Sequence, residues 1–500
     1  MTKRILNMEA LTSHGNVEGR KLVCDILEAG LQAGDPYNST RQMLKLEGSR
    51  LTVGDPAFEP LYTPHPGPDT YDLKTDIDRV FIFAVGKGML RVVKAIEDVL
   101  GDYITGGIAL VKYGDKEELS RVEVLYGAHP VPDVNCVEGC RKISEMIQSL
   151  HLTPRDLVFT AIGNGVGSLL TYPAEGIPLK AVSDMVQLLQ IEKGAPTAEL
   201  SIVRNQVDRL KGGRITRLLH PAKMVHLLAI DCNYGNTGAV GYPGLMDLNV
   251  WLHTLPDCGS KEFAAYILEK WDAWDRVDES IRTHLQKTGE EQEVMRSDEF
   301  EKMDCKIYGV MPDSMGPLPK AMKRAEELGY PAHLINRGHA LEASVMGRFF
   351  GLLGNCVANE EQPFPAPCAL FYTGEMLVTV GQEGGVGGRD QECALSAIQA
   401  LAGNQRAVLG CVDTDGTDGP GGHFCDEATT MGITALSGGI VDGFTLEEAQ
   451  EKDTDLISAL KTHGTSLPLW QLNCGIWATQ NISVQDLVVL LVMPKTAAEA

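Results

Sequence analysis

The stretch "DLVFTAIGNGVGSLL" (156–170) places an apolar, strand-like segment directly ahead of glycines at positions 163, 165 and 167. A continuous apolar run that ends at glycine is typical of a strand buried in a parallel sheet. Ligands of such sheets bind beyond the carboxyl ends of the strands, where glycine lets backbone N–H groups face an anion. The loop 163–168 is therefore either a phosphate site or a tight turn, and both readings stay open at this point.

The same pattern recurs along the chain and predicts an α/β fold with two domains. Apolar runs such as "RVFIFAVG" (79–86) and "MVHLLAID" (224–231) alternate with amphipathic segments, which indicates strands joined by crossover helices. A polar, helical region precedes residue 300, so we expect a domain at 1–300 and a second at 301–500. The alternating segment "FYTGEMLVTVG" (371–381) reads as a strand of a hairpin and favours a mixed sheet in the second domain.

Composition restricts the classes of partner. The 500 residues are 44% hydrophobic and 22% charged, which is typical of a folded globular protein of two to four domains. The formal net charge of -23 opposes binding to nucleic acid or anionic lipid, since no basic patch interrupts it. Small anions remain possible ligands, because a few cations in a cleft reverse the local potential.

The cysteines and the N-terminus predict a cytoplasmic protein. The 12 cysteines are scattered without a C-x-x-C pair, which favours buried free thiols in a reducing compartment over a zinc site. The first residues, "MTKRILNMEALTSHG" (1–15), have no apolar core like that of a secretion signal. No uninterrupted apolar run approaches the ~18 residues that a membrane-spanning helix needs.

Two strand ends carry a cation among glycines. In "AVGKGM" (84–89), Lys87 follows Gly86 at a strand-to-helix turn, without the spacer and final Ser/Thr of a P-loop. In "GGVGGRDQE" (384–392), Arg389 follows Gly388 ahead of an amphipathic helix that Asp390 can cap. Either cation suits a phosphate or carboxylate, but a solvated lysine and a flexible capped loop are the competing structural interpretations.

A third strand end is acidic, and a further segment is basic. "VDTDGTDGPGG" (412–422) carries Asp413, Asp415 and Asp418, which can hold Mg²⁺ or supply a general base unless they form a solvated turn. "VRNQVDRLKGGR" (203–214) concentrates four cations, ending with Lys211 and Arg214 around two glycines where a helix can end. Because cations are favoured at a helix C-terminus, a structural role competes with anion binding there.

Taken together, these motifs resemble the class II glycerate 2-kinases, whose C-terminal part is a MOFRL domain. The resemblance spans nearly the whole chain. It rests on "AVGKGM" (84–89), "KYGD" (112–115), "GAHPVPD" (127–133), "PAEGI" (173–177), "RLKGGR" (209–214), "RAEELGY" (324–330), "GGRDQE" (387–392) and "DGTDGP" (415–420).

The resemblance implies a Rossmann-like N-terminal domain and an α/β MOFRL domain that closes over an interdomain cleft. Members of the family transfer the γ-phosphate of ATP, with magnesium, to the 2-hydroxyl of glycerate. It implies catalytic roles for Lys87, Arg389 and Asp415, and a metal site at Asp415 and Asp418. The substrate- and nucleotide-binding residues that it implies are Gly86, Gly163, Asn164, Gly165, Gly167, Ser168, Lys211, Arg214, Glu375 and Gly388.

Four loops depart from the family pattern. "GNGVGS" (163–168) stands where the family has Ser, three glycines and Ser-Ala, and "AIDCNYGNTGAVGYPG" (229–244) keeps Asp231 but lacks the paired aspartates. "THGTS" (462–466) and "NCGIWATQN" (473–481) replace two further loops of the family. Since fold carries over better than function, two alternatives remain beside an ATP-dependent kinase for a small hydroxy acid. One is an anion-binding protein without kinase activity, and the other is an enzyme of a different reaction in the same cleft.

No feature of the sequence decides between a monomer and a homodimer, which are the two states that the resemblance implies. The sequence gives little support for a hydroxypyruvate reductase activity. The dinucleotide-binding pattern, G-x-G-x-x-G after a strand with an acidic residue about 20 positions on, does not occur.

Overall fold

The structure is a computed structural model of the chain, and it describes residues 3–55, 58, 68–129, 131–229, 249–287, 293–311, 315–380, 384–480 and 485–495. Asp231 and most of the departing segment 229–244 lie outside the described residues.

The described strands fall into three sheets. In chain order they are β1 (Leu44–Glu47), β2 (Arg50–Val53), β3 (Asp69–Asp72), β4 (Arg79–Val85), β5 (Ile104–Lys112), β6 (Glu123–Gly127), β7 (Asp156–Gly163), β8 (Lys223–Ala229), β9 (Cys305–Gly309), β10 (Ala332–Glu342), β11 (Cys368–Leu377), β12 (Ala407–Asp413), β13 (Gly438–Asp442), β14 (Gly475–Ile476) and β15 (Asp486–Val492).

The described helices are mostly amphipathic and connect these strands. They are α1 (Met8–Leu11), α2 (Val17–Ala33), α3 (Pro36–Met43), α4 (Met89–Leu100), α5 (Val134–Leu150), α6 (Val166–Leu169), α7 (Leu179–Val186), α8 (Thr197–Gln206), α9 (Arg214–Leu219), α10 (Lys261–Lys270), α11 (Glu279–Gln286), α12 (Ser297–Phe300), α13 (Pro317–Glu327), α14 (Ala343–Glu360), α15 (Arg389–Leu401), α16 (Asp426–Thr430), α17 (Thr445–Glu451), α18 (Leu456–Lys461) and α19 (Ser466–Gln471), with a 3₁₀ turn at Gly101–Tyr103 and a π-helical turn at Gln187–Glu192.

The chain forms two compact units. The first, which we call the parallel-sheet unit, consists of Pro36–Cys232 with Thr237–Pro312. Its six-stranded sheet is parallel throughout, in the order β6-β5-β4-β7-β8-β9. Numbered from β4, this is the strand order 3-2-1-4-5-6 of a Rossmann fold, which reverses direction between β4 and β7. The predicted Rossmann-like domain is confirmed.

The second unit, which we call the mixed-sheet unit, consists mainly of Met1–Asp35 and Asp313–Ala500. Its sheet has the order β10-β11-β15-β12-β13-β14. Only the β10–β11 pair is parallel, and the other four pairs are antiparallel. The predicted mixed sheet is therefore confirmed, but β11 is a buried inner strand between β10 and β15 and not part of a hairpin.

The units differ from the predicted ranges at two places. The segment Cys305–Gly309, expected to open the second domain, is the edge strand β9 of the parallel sheet because it pairs with β8. Residues 1–35 belong to the mixed-sheet unit because α2 packs on β12 and β15. There the buried Arg20 Nε donates to Asp442 Oδ2 at 2.5 Å. Neither pairing has a local sequence signal.

Helices cover both faces of the mixed sheet. One face packs against α14 and α15, for example through Phe350 and Ile398, and the other packs against α2 and α13, for example through Leu27 and Ala321. In the parallel-sheet unit, α5 and α9 pack over the apolar residues of one face of the sheet. Among the described residues, no helix is long and apolar enough to span a membrane.

Candidate functional site

The carboxyl ends of β4 and β7 lie side by side in the parallel sheet, at the point where its strand order reverses. This reversal is where open α/β sheets bind ligands. The Lys87 backbone N–H donates to the Asn164 carbonyl at 2.7 Å, so the lysine turn and the loop 163–168 are joined directly. The structure thus brings together Gly86, Lys87 and the predicted loop.

Gly165 sits where a larger residue would disturb this arrangement. Its φ is +79°, a left-handed conformation that favours glycine. A Cβ at this position would lie 3.0 Å from His129 Cδ2 and 3.1 Å from Lys87 Cγ. The loop therefore packs closely against one cation and one imidazole.

His129 is uncharged in this setting. The side chain is partly open to solvent, but the protein atoms around the ring, followed by the positive charges of Lys87, Lys112 and Arg204, lower its pKa to about 4. Ser168 Oγ, at the other end of the loop, donates to the neighbouring Ala128 carbonyl at 3.2 Å. The loop is thus anchored to the residue before His129, which belongs to the motif "GAHPVPD" (127–133).

Lys211 and Arg214 hold the unit's own backbone. Buried Lys211 Nζ donates to Thr171 Oγ1 at 3.0 Å and to Asp208 Oδ2 at 3.2 Å. Arg214 Nη1 donates to the carbonyls of Asn205 and Lys211 at 2.8 and 2.9 Å. The structure corrects the idea that a helix ends between them, because α8 ends at Gln206 and α9 begins at Arg214.

Arg204, the first cation of the same basic run, differs from both. It is 7% exposed, and burial lowers its pKa to about 10. A Cβ on Gly167 would lie 3.3 Å from Arg204 Nη1, so the guanidinium faces the loop 163–168. Arg204 also acts on His253 through its charge. Burial lowers the pKa of His253 well below its usual range, and the charges of Lys211 and Arg204 lower it further.

In the mixed-sheet unit, Arg389 stands among carboxylates. Its Nε donates to Asp486 Oδ1 at 2.6 Å, its Nη2 to Asp413 Oδ2 at 2.9 Å and its Nη1 to Glu375 Oε1 at 3.3 Å. Burial alone would lower the pKa of Arg389, but the charges of Asp413 and Asp486 outweigh it and raise the pKa. The arginine is charged at every ordinary pH.

The sheet register assembles these carboxylates. Asp413, the last residue of β12, pairs with Asp486, the first residue of the antiparallel strand β15. The same Asp486 pairs with Gly374 of β11, one residue before Glu375. The amino end of β15 thus lies beside the carboxyl-terminal parts of its two neighbours, β11 and β12.

Three buried aspartates lie next to this arginine. Asp390, Asp413 and Asp418 each offer a carboxylate oxygen, and these oxygens lie within 4.8 Å of one another. Both oxygens of Asp390 and Oδ1 of Asp418 are buried and accept no hydrogen bond from the described residues. Burial raises the pKa of Asp418 to about 7 and raises those of Asp390 and Asp413 well above their usual range. The cluster can hold protons or a cation.

The glycine run 384–388 lets the Asp418 carboxylate approach the start of α15. Gly388 is in contact with Asp418, and a Cβ on it would overlap that carboxylate. Asp418 Oδ2 accepts from the Gln391 backbone N–H at 2.8 Å. The helix begins at Arg389, which corrects the expectation that Asp390 caps it, since Asp390 lies within the first turn and Gly388 precedes the helix.

Lys87, Arg389, Asp418 and the loop 163–168 are residues that the sequence predicts for the sites. The structure places them at or beside strand ends, as described above. Asp415 lies outside the three-aspartate group, and its Oδ1 accepts from the backbone N–H and Oγ1 of Thr417 at 2.7 and 2.9 Å. Arg204, His253 and Asp486 were not predicted as site residues from the sequence. Arg204 had a signal in the basic run 203–214, whereas Asp486 carries none.

Comparison with known proteins agrees with this architecture. The profile of a family described as a domain of unknown function (DUF4147) matches residues 22–286, and that of the MOFRL family matches residues 368–479. A D-glycerate 2-kinase of Thermotoga maritima is 31% identical over 431 residues, which cover 84% of this chain and 92% of the relative. The chain belongs to the glycerate 2-kinase family.

Other members of the glycerate 2-kinase family match nearly the whole chain. A glycerate 2-kinase of Pyrococcus horikoshii is 29% identical over 486 residues, covering 95% of this chain and 99% of the relative. A crystal structure of a glycerate kinase from Thermotoga maritima superposes with a TM-score of 0.72 at 28% identity, covering 95% of this chain and 99% of that one. Fold and membership in a family of kinases are thus established together.

Proposed function

We propose that this protein is an ATP-dependent kinase that phosphorylates a hydroxyl of glycerate or of a closely related small hydroxy acid. The observation that carries the proposal is the three-aspartate group beside Arg389, in a chain whose relatives are named glycerate 2-kinases. Phosphoryl transfer depends on positioning and charge neutralisation more than on covalent chemistry. A carboxylate cluster that can hold a cation, and a lysine at a strand end, supply those needs.

The three-aspartate group fits a magnesium ion. Mg²⁺ prefers carboxylate oxygens and waters, and three buried oxygens of Asp390 and Asp418 accept no hydrogen bond from the described residues. Asp390, Asp413 and Asp418 would hold the ion, which would neutralise negative charge on the nucleotide phosphates. The metal role predicted for Asp415 stays a prediction, as does its catalytic role.

Lys87 and Arg389 act differently in this proposal. Lys87 lies at the strand-order reversal of the parallel sheet, where its ammonium would neutralise a phosphate or carboxylate of a ligand. Arg389 donates to three carboxylates and thereby fixes Asp413 and Asp486, so it acts first as a positioning residue. The interdomain cleft that the resemblance implies stays a prediction.

The test is a coupled assay of ADP release from ATP and MgCl₂ with D-glycerate, L-glycerate, glycerol and hydroxypyruvate as separate acceptors. We expect ADP release with a glycerate and none with glycerol, and ³¹P NMR of the product identifies the phosphorylated hydroxyl. Absence of ADP release with every hydroxy acid of the panel would refute the proposal. The cytoplasmic location and the monomeric or homodimeric state remain predictions, which fractionation and light scattering test.

A further inference from the structure

Arg204 is a buried cation that has no partner among the described residues. Within the described residues, its guanidinium forms no hydrogen bond or ion pair, and no carboxylate charge offsets the effect of burial on its pKa. By contrast, buried Lys211, seven residues on, is paired with Asp208. Burying an unpaired charge is costly, because water solvates it better than protein does. Such a cost is retained where a ligand later supplies the opposite charge.

The helix itself does not account for Arg204. The residue lies in the last turn of α8, where the helix dipole favours a cation. That interaction contributes about 0.3–1 kcal/mol at an exposed position. The desolvation of a buried ion costs several times more. The dipole therefore reduces the cost of burying Arg204 without removing it.

The charge of Arg204 acts on two neutral imidazoles, His129 and His253. His253 is 1% exposed, and neither of its ring nitrogens has a hydrogen-bond partner among the described residues. His129 contacts the loop 163–168 through Gly165, as Arg204 does through Gly167. The charge of Arg204 lowers the pKa of both histidines, so they bring hydrogen-bonding groups but no negative charge. The surroundings suit an oxyanion.

We propose that Arg204, with His129 and His253, forms an oxyanion-binding site at the loop 163–168 of the parallel-sheet unit. The planar guanidinium can donate two parallel hydrogen bonds to a carboxylate or a phosphoryl group. The assignment of the anion to the substrate carboxylate or to a nucleotide phosphate rests on the proposed function. The existence of the site does not.

The first measurement is the stability of the ligand-free protein. Replacing Arg204 with methionine keeps the length of the side chain and removes the buried charge, so Arg204→Met should melt at the same temperature as the wild type or higher. A residue that stabilised the fold would give the opposite result. Arg209→Met is the matched control, because exposed Arg209 stacks over Tyr172 at 4.9 Å in the same basic run.

The second measurement is calorimetric titration of each variant with D-glycerate, ATP, adenosine and inorganic phosphate. Loss of hydrogen bonds to a charged group should weaken the affected anion about 10- to 100-fold in Arg204→Met, and less in Arg204→Lys, which keeps the charge but not the planar fork. If the affinity for glycerate falls and that for ATP is unchanged, the bound anion is the substrate carboxylate. If the affinities for ATP and phosphate fall and that for adenosine is unchanged, the bound anion is a phosphoryl group.

Two results would overturn the inference. One is Arg204→Met that binds glycerate, ATP and phosphate like the wild type. The other is Arg204→Met that melts lower or does not fold, since either shows that Arg204 stabilises the protein itself. A wrong kinase proposal would give a different result. The wild type would then release no ADP, while its anion binding would still be weakened by replacement of Arg204.

Discussion

The two strand-end sites have opposite charge. In the parallel-sheet unit, the charge of Arg204 acts on both His129 and His253, and that of Lys87 acts on His129, so cations prevail around these imidazoles. In the mixed-sheet unit, Asp390, Asp413, Asp418 and Asp486 surround Arg389, and carboxyl groups prevail. Among the described residues, the Arg204 guanidinium in the first unit and the Asp390 carboxylate in the second form no hydrogen bond. In the proposed function, the first site binds an anion and the second a cation, as phosphoryl transfer from a Mg-nucleotide to an acid requires.

The largest effect should come from Asp418→Asn. The amide can still accept from the Gln391 N–H, but it removes one ligand charge from the three-aspartate group. We expect kcat/KM to fall about 10²- to 10³-fold and the Mg²⁺ concentration for half-maximal rate to rise. Steady-state assays at several Mg²⁺ concentrations measure both.

Asp415→Asn is the control for that experiment. The Thr417 donors can still bond to an amide oxygen at this position, and Asp415 lies outside the three-aspartate group. We expect a smaller loss of activity than in Asp418→Asn. An equal loss, with the same shift in Mg²⁺ dependence, would return Asp415 to the metal site predicted from the sequence.

Lys87→Met should have the next largest effect on activity, and it tests the cationic site of the parallel-sheet unit. Removing its ammonium should lower kcat/KM about 10²-fold, because the proposed function assigns to Lys87 the neutralisation of charge on a ligand. It should also raise the pKa of His129 above about 4, since Lys87 contributes to the lowering after burial. NMR titration of the imidazole measures that shift.

Lys112→Met separates the two effects of Lys87. Lys112 also lowers the pKa of His129, but it lies within β5 at its last residue and outside the lysine turn. Its replacement should raise the pKa of His129 while activity stays near that of the wild type. A loss of activity equal to that of Lys87→Met would mean that the general potential matters and the position of Lys87 does not.

Gly165→Ala should have a smaller effect, of about tenfold on kcat/KM. The left-handed φ costs roughly 1–2 kcal/mol with a side chain, and the new Cβ would press on His129 and Lys87. Gly176→Ala has a φ of +83° and no atom within 4 Å, so it carries the backbone cost alone. If both variants lose activity equally, the loop 163–168 is a structural turn.

Much of this architecture follows from local pattern, and the rest does not. Apolar runs ending at glycine predicted β4 and β7 and the turns beyond them, because a buried parallel strand must be apolar on both faces. No pattern could predict that Asp486 pairs with Asp413, because register between distant strands depends on the whole sheet. Arg204 was visible only as one cation of a basic run, since burial and partners are properties of the folded chain.

The smallest effect is on stability, and it has opposite signs at the two sites. Asp418 has a pKa raised from its ordinary 3.8 to about 7, so its contribution is present below pH 3.8 and is lost as pH rises through about 7. His129 has a pKa lowered from 6.5 to about 4, so its contribution is present above pH 6.5 and is lost as pH falls through about 4. Melting temperatures between pH 4 and 8 in a chelator should therefore fall toward both ends for these two groups.

Single replacements separate the two ends of this profile. Asp418→Asn should remove the alkaline loss, by about 2–4 °C for every kcal/mol involved. His129→Gln should remove a smaller acid loss, because His129 is exposed and solvent screens its charge. MgCl₂ should raise the melting temperature of the wild type more at pH 8 than at pH 5, because the cation competes with protons for the same carboxylates. An equal rise at both pH values would show that Mg²⁺ does not bind at these carboxylates. The mixed-sheet unit would then lack the cation site that the proposed function requires.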